Sequence, residues 1–239
     1  TGTITDCSSS ANVRADGGCV GGLIGINSGN VLRSHATGSV SGRENAGGLA
    51  GFSSSGSFTQ CYATGSVQNV SNGSVGGFVG NGGWTTYQQC FSTGNVTSAQ
   101  YDAGGFIGGG WNVNMQNCFT TGKAHCSGRA SALLGGQVSG SVDSCFATGY
   151  VTGNPAGALL AYEFGSKPTI TKSYFDKDTT GQTEMITGDG ASAFGKTTAA
   201  LMQASTYVGW SFTDPSPYRI LEGKTYPYLA FKAPEASIE

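Results

Sequence analysis

The sequence predicts an all-β protein that coils into a parallel β-helix (β-solenoid) of about six coils, with about 28 residues per coil. Gly accounts for 41 of the 239 residues and charged residues for only 11%, so the chain lacks the charged surface of a helical domain. The hydrophobic share of 38% still suffices for a core. The third observation is a unit that recurs along the chain at a nearly constant interval, which is typical of solenoids.

The clearest part of the unit is a small residue, here called the first position, followed by an aromatic residue and a nearby Thr-Gly. Four copies begin with cysteine: Cys61-Tyr62-Ala63-Thr64-Gly65, Cys90-Phe91-Ser92-Thr93-Gly94, Cys118-Phe119-Thr120-Thr121-Gly122 and Cys145-Phe146-Ala147-Thr148-Gly149. Ser34-His35-Ala36-Thr37-Gly38 is a fifth version, and Cys7 and Ser173 begin degenerate copies. Neighbouring first positions are separated by 27 to 29 residues.

Two further elements recur in each unit. Gly-Gly-Leu/Phe-x-Gly begins at Gly21, Gly47, Gly76 and Gly104 and decays in the fifth and sixth units. An apolar residue stands three places before each first position: Ile4, Val31, Phe58, Tyr87, Met115, Val142 and Ile170. Each unit therefore predicts three short strands separated by Gly, Asn and Ser corners. A helical repeat is disfavoured because each internal Gly would cost about 1 kcal/mol.

Strand alternation assigns the faces of the first-position stretch. One face carries Cys, Ala, Gly and Val, which we expect inside, and the other carries the aromatic residue, Thr and Ser. Aromatic residues as core filling are the alternative. Stacked coils would align an aromatic rank of His35, Tyr62, Phe91, Phe119, Phe146 and Tyr174, and a threonine rank of Thr37, Thr64, Thr93, Thr121 and Thr148. An outward apolar stripe normally marks an interaction site, so these residues are the ligand-binding candidates. The stripe would stack on sugar rings, or lie under the C-terminal segment or a neighbouring domain.

The end of the chain departs from the repeat. We expect residues 1–176 to form the solenoid, 177–231 an atypical capping segment packed on it, and 232–239 a tail or linker. Lys196 to Met202 is the one predicted helix of this segment, with Thr197 or Thr198 as its cap. The aromatic residues that follow suit a cap, because a solenoid end exposes strand edges and core.

These residues resemble a known family. The Gly-Gly-Leu/Phe-x-Gly element followed by Ser/Cys-Tyr-Ala-Thr-Gly resembles the GLUG repeat of large bacterial surface proteins, and the ending, with Val208-Gly209-Trp210 and Tyr226-Pro227-Tyr228-Leu229, is similar to theirs. The resemblance covers nearly the whole chain and implies a secreted or cell-surface, adhesin-like protein. It implies no single activity, because such repeats occur beside many different domains. One departure is cysteine at a first position where serine is more usual.

No set of residues predicts catalysis, so we expect the chain not to be an enzyme. One of its two histidines, His35, belongs to the aromatic rank, and the other, His125, stands beside Cys126 in an expected turn. The acidic residues of the coils lie at different offsets from the first positions, whereas glycosidases need a facing pair about 5–10 Å apart. They are Asp6, Asp16, Glu44, Asp102, Asp143 and Glu163.

Asp176, Asp178 and Thr180 are a calcium candidate, because their spacing is similar to the start of a calcium-binding loop. The bidentate Glu expected at the twelfth position is replaced by Thr187. No other metal site and no cofactor are predicted. Seven cysteines are present, and stacking at about 5 Å permits disulfides between coils. We expect mostly reduced, buried thiols, since buried Cys behaves as a small hydrophobic residue.

We therefore predict a non-catalytic, extracellular repeat domain that serves as stalk or adhesion surface of a larger bacterial surface protein. The alternatives are a carbohydrate-active β-helix enzyme and an ice- or mineral-binding solenoid. Expected partners are a surface glycan, a protein receptor or neighbouring domains. A net charge of −2 without a basic stripe disfavours nucleic acid, and no apolar run approaches the ~20 residues of a membrane span. Thr1 already lies inside the repeat pattern, so we expect a segment excised or processed from a longer protein.

Overall fold

The computed structural model describes residues 2–136, 139–161, 168–185 and 194–232. In these ranges the chain forms a parallel β-solenoid of about six turns with few helices, which confirms the predicted fold class. Each complete coil contributes one short strand to each of four parallel sheets, here called A to D in chain order, and the first four coils also contribute one to a fifth parallel sheet, E. In the fifth and sixth coils, Leu134 and Leu160 continue sheet E only as isolated bridges. The described helices are all too short to cross a membrane.

The strands of each sheet follow one another by one coil. Sheet A contains Thr3–Thr5, Asn30–Leu32, Gly56–Thr59, Thr85–Gln88, Val113–Gln116, Gly140–Asp143 and Thr169–Thr171. Sheet B contains Ser8–Ser9, His35–Ala36, Tyr62–Ala63, Phe91–Ser92, Phe119–Thr120, Phe146–Ala147, Tyr174–Asp176 and Gly195–Lys196. Sheet C contains Val13–Arg14, Val40–Gly42, Val67–Asn69, Val96–Ser98, Ala124–Cys126 and Val151–Thr152. Sheet D contains Val20–Gly21, Ala46–Gly47, Val75–Gly76, Ala103–Gly104, Ala130–Ser131 and Ala156–Gly157. Sheet E contains Ile24–Asn27, Ala50–Ser53, Val79–Gly83 and Ile107–Trp111.

The expectation of three strands per coil is wrong, because two of the three stretches bend in the middle. The first-position stretch is divided at Thr-Gly into strands of sheets B and C, as between Tyr62–Ala63 and Val67–Asn69. The Gly-Gly stretch is divided into strands of sheets D and E, as between Val75–Gly76 and Val79–Gly83. The chain thus bends between short strands at corners whose positions the repeat pattern alone does not predict.

The register between coils agrees with the predicted spacing. The apolar residues that precede the first positions pair one above the other in sheet A, in the order Ile4, Val31, Phe58, Tyr87, Met115, Val142 and Ile170. In sheet B the aromatic rank pairs in the order Ser8, His35, Tyr62, Phe91, Phe119, Phe146 and Tyr174. Like residues are therefore stacked on like throughout the solenoid.

The core confirms the expected faces. Cys61, Cys90, Cys118 and Cys145 are fully buried in the main hydrophobic cluster, together with Phe58 of the sheet A rank. The rings of Phe58 and Tyr87 stack 5.4 Å apart inside the solenoid. The aromatic rank of sheet B lies outside this core and belongs to a second cluster.

Each first position makes the same local hydrogen bond. Ser34 Oγ donates to Leu32 O at 2.7 Å, and Cys90 Sγ donates to Gln88 O at 3.3 Å. The residue before the first position has a positive φ in every coil, which turns the chain from sheet A into sheet B: Asp6, Arg33, Gln60, Gln89, Asn117, Ser144 and Lys172. Serine and cysteine are interchangeable here because both are small and both donate to this carbonyl.

The Thr-Gly pair of each unit has a steric cause. A Cβ atom at Gly94 would lie 1.9 Å from Gly65 O, and one at Gly65 would lie 1.9 Å from Gly38 O. Both carbonyl oxygens, Gly65 O and Gly38 O, belong to the backbone of the adjacent coil. They cannot move aside without breaking the pairing between strands. Only glycine lets the coils stack at the corner between sheets B and C.

The described residues 177–185 and 194–232 leave the repeat. They form helix α1 (Lys177–Thr180), helix α2 (Thr198–Leu201), a 3-10 helix (Ala204–Thr206) and an antiparallel pair of strands (Tyr218–Arg219 and Tyr228–Leu229). Thr197 Oγ1 accepts from Ala200 N at the start of α2, so a helix capped by Thr197 lies within the predicted range, although it is shorter than expected. The expectation of a single helix is wrong, because Asp176 caps the additional helix α1 and a 3-10 turn follows α2. The strand Gly195–Lys196 pairs with Tyr174–Asp176 and so covers the last edge of sheet B. The predicted tail, apart from Lys232, lies outside the described residues.

Substitution of Gly94 by alanine is expected to lower the free energy of unfolding by about 1–3 kcal/mol, because the added methyl group collides with Gly65 O. Urea denaturation followed by far-UV circular dichroism measures the change. Gly17→Ala is the matched control, since no atom lies within 4 Å of its added Cβ, and we expect a change within about 0.5 kcal/mol. Equal stability of the two variants would contradict this explanation of the Thr-Gly pair.

Candidate functional site

The outward aromatic rank forms a continuous stack of rings, here called the outer ladder. Ring centroids are separated by 4.5 Å between His35 and Tyr62 and by 4.9 Å between Tyr62 and Phe91. The next steps, to Phe119 and Phe146, are 5.0 and 4.9 Å, and adjacent planes diverge by at most 8°. Each inner ring therefore has a neighbour on both faces, and the ladder presents ring edges to the outside.

The C-terminal segment packs along the upper part of the outer ladder. Trp210, Tyr218 and Tyr226 place their rings 6.3 to 6.4 Å from that of Phe146. Tyr207 contacts Tyr174 edge to face at 5.1 Å. Phe91, Phe119, Phe146 and Tyr174 are buried by this packing, whereas His35 and Tyr62 stay half-buried. The sequence suggested that the ladder binds sugars or lies under the C-terminal segment or a neighbouring domain. In the structure it lies under the C-terminal segment.

Polar contacts fix the segment to the solenoid. Val208 N donates to Tyr174 Oη at 3.0 Å, Trp210 Nε1 donates to Lys172 O at 2.8 Å, and Tyr218 Oη donates to Ser144 O at 3.2 Å. Each of these acceptors belongs to the solenoid, so the segment is positioned by direction-dependent bonds as well as by apolar burial.

Asp176, the first residue of the calcium candidate, is a helix cap. Its Oδ1 accepts from the backbone of Asp178 and Thr179 at the start of α1, and its Oδ2 accepts from Thr198 Oγ1 and Tyr226 Oη at 2.6 and 2.5 Å. Thr180 Oγ1 donates to Asp176 O. Four donors thus surround a fully buried carboxylate, and the Asp-x-Asp spacing is accounted for without an ion. The twelfth position of the calcium hypothesis, Thr187, lies outside the described residues.

A cleft of about 660 Å³ lies between the outer ladder and the C-terminal segment. The solenoid wall consists of the rings of Phe91, Phe119 and Phe146 and of the threonine rank members Thr64, Thr93 and Thr121. The opposite wall is formed by Met202, Lys224, Thr225, Tyr226, Pro227, Tyr228 and Lys232. Among the described residues, two lysines and no carboxylate line the cleft, so the field of these residues favours an anionic group.

The remaining candidate residues are arranged around this cleft. Thr37 is exposed on an earlier coil, and Thr148 is buried, with its carbonyl accepting from Thr179 Oγ1 at 2.7 Å. Lys232 Nζ lies 5.5 Å from the centre of the Tyr62 ring, at the lower end of the ladder. Sequence reasoning missed the opposite wall, because its residues occur once and carry no repeat signal.

The environment of the C-terminal segment raises the pKa of three of its tyrosines. Burial raises the pKa of Tyr207 and of Tyr218. Burial, followed by the hydrogen bond to Asp176, raises the pKa of Tyr226 to about 12. At the other end of the ladder, burial and the nearby Lys232 lower the pKa of His35. Packing therefore raises the pKa of these three phenols, so they stay neutral above the ordinary range.

The fold places His125 and Cys126, which are neighbours in the sequence, in different environments. The expected turn at His125 is wrong: Ala124–Cys126 is a strand of sheet C, with His125 Nδ1 outward and 2.6 Å from Thr152 Oγ1 while Cys126 is buried. None of the seven cysteines, all of which lie among the described residues, is joined in a disulfide, and five of them are buried. Burial raises the pKa of Cys90 and Cys118, which keeps them as thiols. Among the described residues, no three His, Cys, Asp or Glu side chains are grouped as metal ligands.

The carboxylates of the coils are dispersed. Asp6 forms an exposed ion pair with Arg33, Asp102 forms a largely buried pair with Arg129, and Asp143 accepts from Thr171 at 2.6 Å. Glu163 lies outside the described residues.

The fold and the stacked ranks define the chain as a repeat protein of the parallel β-solenoid class. The family model described as the GLUG motif matches residues 42–68, which make one turn of the solenoid from the end of a sheet C strand to the next one. The match is consistent with a GLUG-motif repeat region and confirms that resemblance. No curated protein matches the chain.

Alkaline pH is expected to release the C-terminal segment. A tyrosine in a released segment ionises near pH 10, whereas packed Tyr226 stays neutral up to about 12, so the stabilisation is complete below pH 10 and is lost as the pH rises to 12. Tyr226→Phe should be less stable at pH 7, lacking the bond to Asp176, and should lose less stability between pH 10 and 12. Melting temperatures across this range measure both effects. Tyr101→Phe, on an exposed tyrosine, is the control, and identical alkaline profiles for wild type and Tyr226→Phe would refute the assignment.

Proposed function

We propose that this solenoid is a non-catalytic, extracellular repeat domain that serves as stalk and binding surface of a larger surface protein. We further propose that residues 1–176 form its rod, that the segment 177–231 caps it, and that the cleft beside the outer ladder receives a polypeptide. The GLUG motif and the solenoid fold support the repeat-domain part of this proposal. The cleft is the observation that supports a binding role.

The orientation of the rings favours a polypeptide over a glycan in this cleft. Sugars stack on aromatic faces, and the faces of Tyr62, Phe91 and Phe119 are covered by their neighbours in the ladder. Ring edges carry the positive part of the aromatic quadrupole, so they attract carboxylate oxygens and the faces of other rings. Phe231 of the C-terminal segment lies 6.2 Å from Phe91, with the ring planes tilted by 39°.

Charge further specifies the partner. Lys224 and Lys232 are the charged residues among the described lining of the cleft. The hydroxyl groups of Thr64, Thr93 and Thr121 offer hydrogen bonds at successive coils. An acidic polypeptide with aromatic side chains fits these walls. The enzyme alternative is less well supported, because Asp102 is paired with Arg129. The ice-binding alternative requires a flat open threonine array, whereas this rank borders a cleft.

Peptide binding tests the cleft. A fluorescein-labelled peptide of alternating Asp and Phe should bind, and the same peptide with Lys in place of Asp should not. Lys224→Glu and Lys232→Glu should each weaken binding about tenfold, about 1.4 kcal/mol. Lys123→Glu makes the same charge change on an exposed residue outside the cleft and should have no effect. Failure of the acidic peptide to bind, or equal affinity for the basic one, would rule out this partner.

The extracellular location has its own test. A membrane-impermeant biotin reagent applied to intact source cells should label the parent protein, because exposed lysines such as Lys123 and Lys224 would face the reagent. A cytosolic protein from the same cells is the control for lysis. Labelling that appears only after the cells are broken would refute the location while leaving the peptide result unaffected.

A further inference from the structure

Two exposed tryptophans lie together on a different edge of the solenoid, where sheet E turns into sheet A. Trp84 is 61% exposed and Trp111 is 40% exposed, and their ring centroids are 6.0 Å apart with planes at 85°. Large apolar side chains that adjoin one another on a surface normally mark an interaction site. The two indoles form a right-angled corner that is open to solvent.

The backbone is arranged to present these rings. Trp84 has a φ of 45°, and Asn112 at the equivalent corner of the next coil has a φ of 53°, so a left-handed residue makes this turn in both coils. A bulky residue is unusual in this conformation. The strand register places Trp111 beside Gly83, not beside Trp84. A Cβ atom at Gly83 would lie 3.3 Å from Trp111 Nε1, so this glycine leaves room for the second indole.

The surface beside the pair is polar and uncharged. The outward residues of sheet A in these two coils are Thr86, Gln88, Asn114 and Gln116, with Asn112 at the corner itself. They are joined between coils by a hydrogen bond of 3.0 Å from Gln88 Nε2 to Gln116 Oε1. Hydroxyl and amide groups both donate and accept, which suits a ligand rich in hydroxyl groups.

We propose that Trp84 and Trp111, with the adjoining face of Thr86, Gln88, Asn114 and Gln116, form a binding site for a neutral glycan. The C–H groups of a sugar ring are slightly positive and stack on the negative face of an indole. The second indole, at a right angle, contacts the edge of the same sugar. The amides and hydroxyls of sheet A bind the hydroxyl groups of the next sugar units, and the lack of charge on these residues selects neutral over acidic glycans.

Intrinsic fluorescence of the full chain, titrated with hexasaccharides of β-1,4-linked glucose, mannose, xylose and N-acetylglucosamine and of α-1,4-linked glucose, tests the proposal. At least one should change the tryptophan emission in a saturable way, whereas oligogalacturonate should not. Trp84→Ala and Trp111→Ala should each weaken binding at least tenfold, and Gln88→Ala should weaken it less. Tyr101→Ala, which removes a 48% exposed ring elsewhere, is the matched control and should bind as wild type does.

Trp84→Gly separates a folding effect from a binding effect. It removes the indole and also relieves the positive φ, so its melting temperature should equal or exceed that of the wild type while binding is lost. Absence of binding to all five neutral hexasaccharides overturns the proposal, as does binding that survives both tryptophan substitutions. Tighter binding of oligogalacturonate, or tryptophan-dependent binding of the Asp-Phe peptide alone, also overturns it. The cleft variants at Lys224 and Lys232 should leave glycan binding unchanged, so the two sites can fail independently.

Discussion

In-register parallel pairing between successive coils is the interaction on which the rest of this structure depends. Each strand lies directly above its equivalent in the next coil, about 4.8 Å away. A residue at any position therefore has to pack against the equivalent residue of the neighbouring coil. Glycine at the corner after threonine follows from this constraint, since a methyl group at Gly94 would occupy the position of Gly65 O. The same constraint lets cysteine replace serine at the first position, where both donate to the carbonyl two residues earlier.

Stacking also creates a surface that needs to be covered. The outer ladder is apolar along its length, and the core on the other side of sheet B is already filled by Cys61, Cys90 and their equivalents. The C-terminal segment covers the upper rings with Trp210, Tyr218 and Tyr226, and it is tied to the end of the solenoid through Asp176. A segment expected over the end of the rod therefore lies along its side, against the rings of the outer ladder.

The sequence was sufficient to predict the features that recur in every coil. It was insufficient to predict the features that occur only once. The ranks of Ile4 and of Tyr62 are visible as a period of 27 to 29 residues, and the structure pairs them as the period requires. The five-strand coil was missed because corners such as Thr64-Gly65-Ser66 preserve the inward and outward alternation of a single strand. The positive φ before each first position is shared by Asp6, Arg33 and Gln60, whose side chains have little in common beyond polarity. The cleft wall around Lys224 and Tyr228 depends on how a unique segment folds back, which no spacing encodes.

Register also explains why the outer ladder exposes ring edges while the pair of tryptophans exposes ring faces. Rings at equivalent positions of adjacent coils are forced to stack, so Tyr62, Phe91 and Phe119 lose their faces to one another and offer only edges. Trp84 and Trp111 are separated by 27 residues, a full period, yet Trp111 is paired with Gly83, so the indoles are offset by one place. That offset turns the planes to 85° and leaves aromatic surface open to solvent. With the strand register unchanged, a difference of one residue in the aromatic positions thus distinguishes stacked rings that offer only their edges from a pair of rings with open faces.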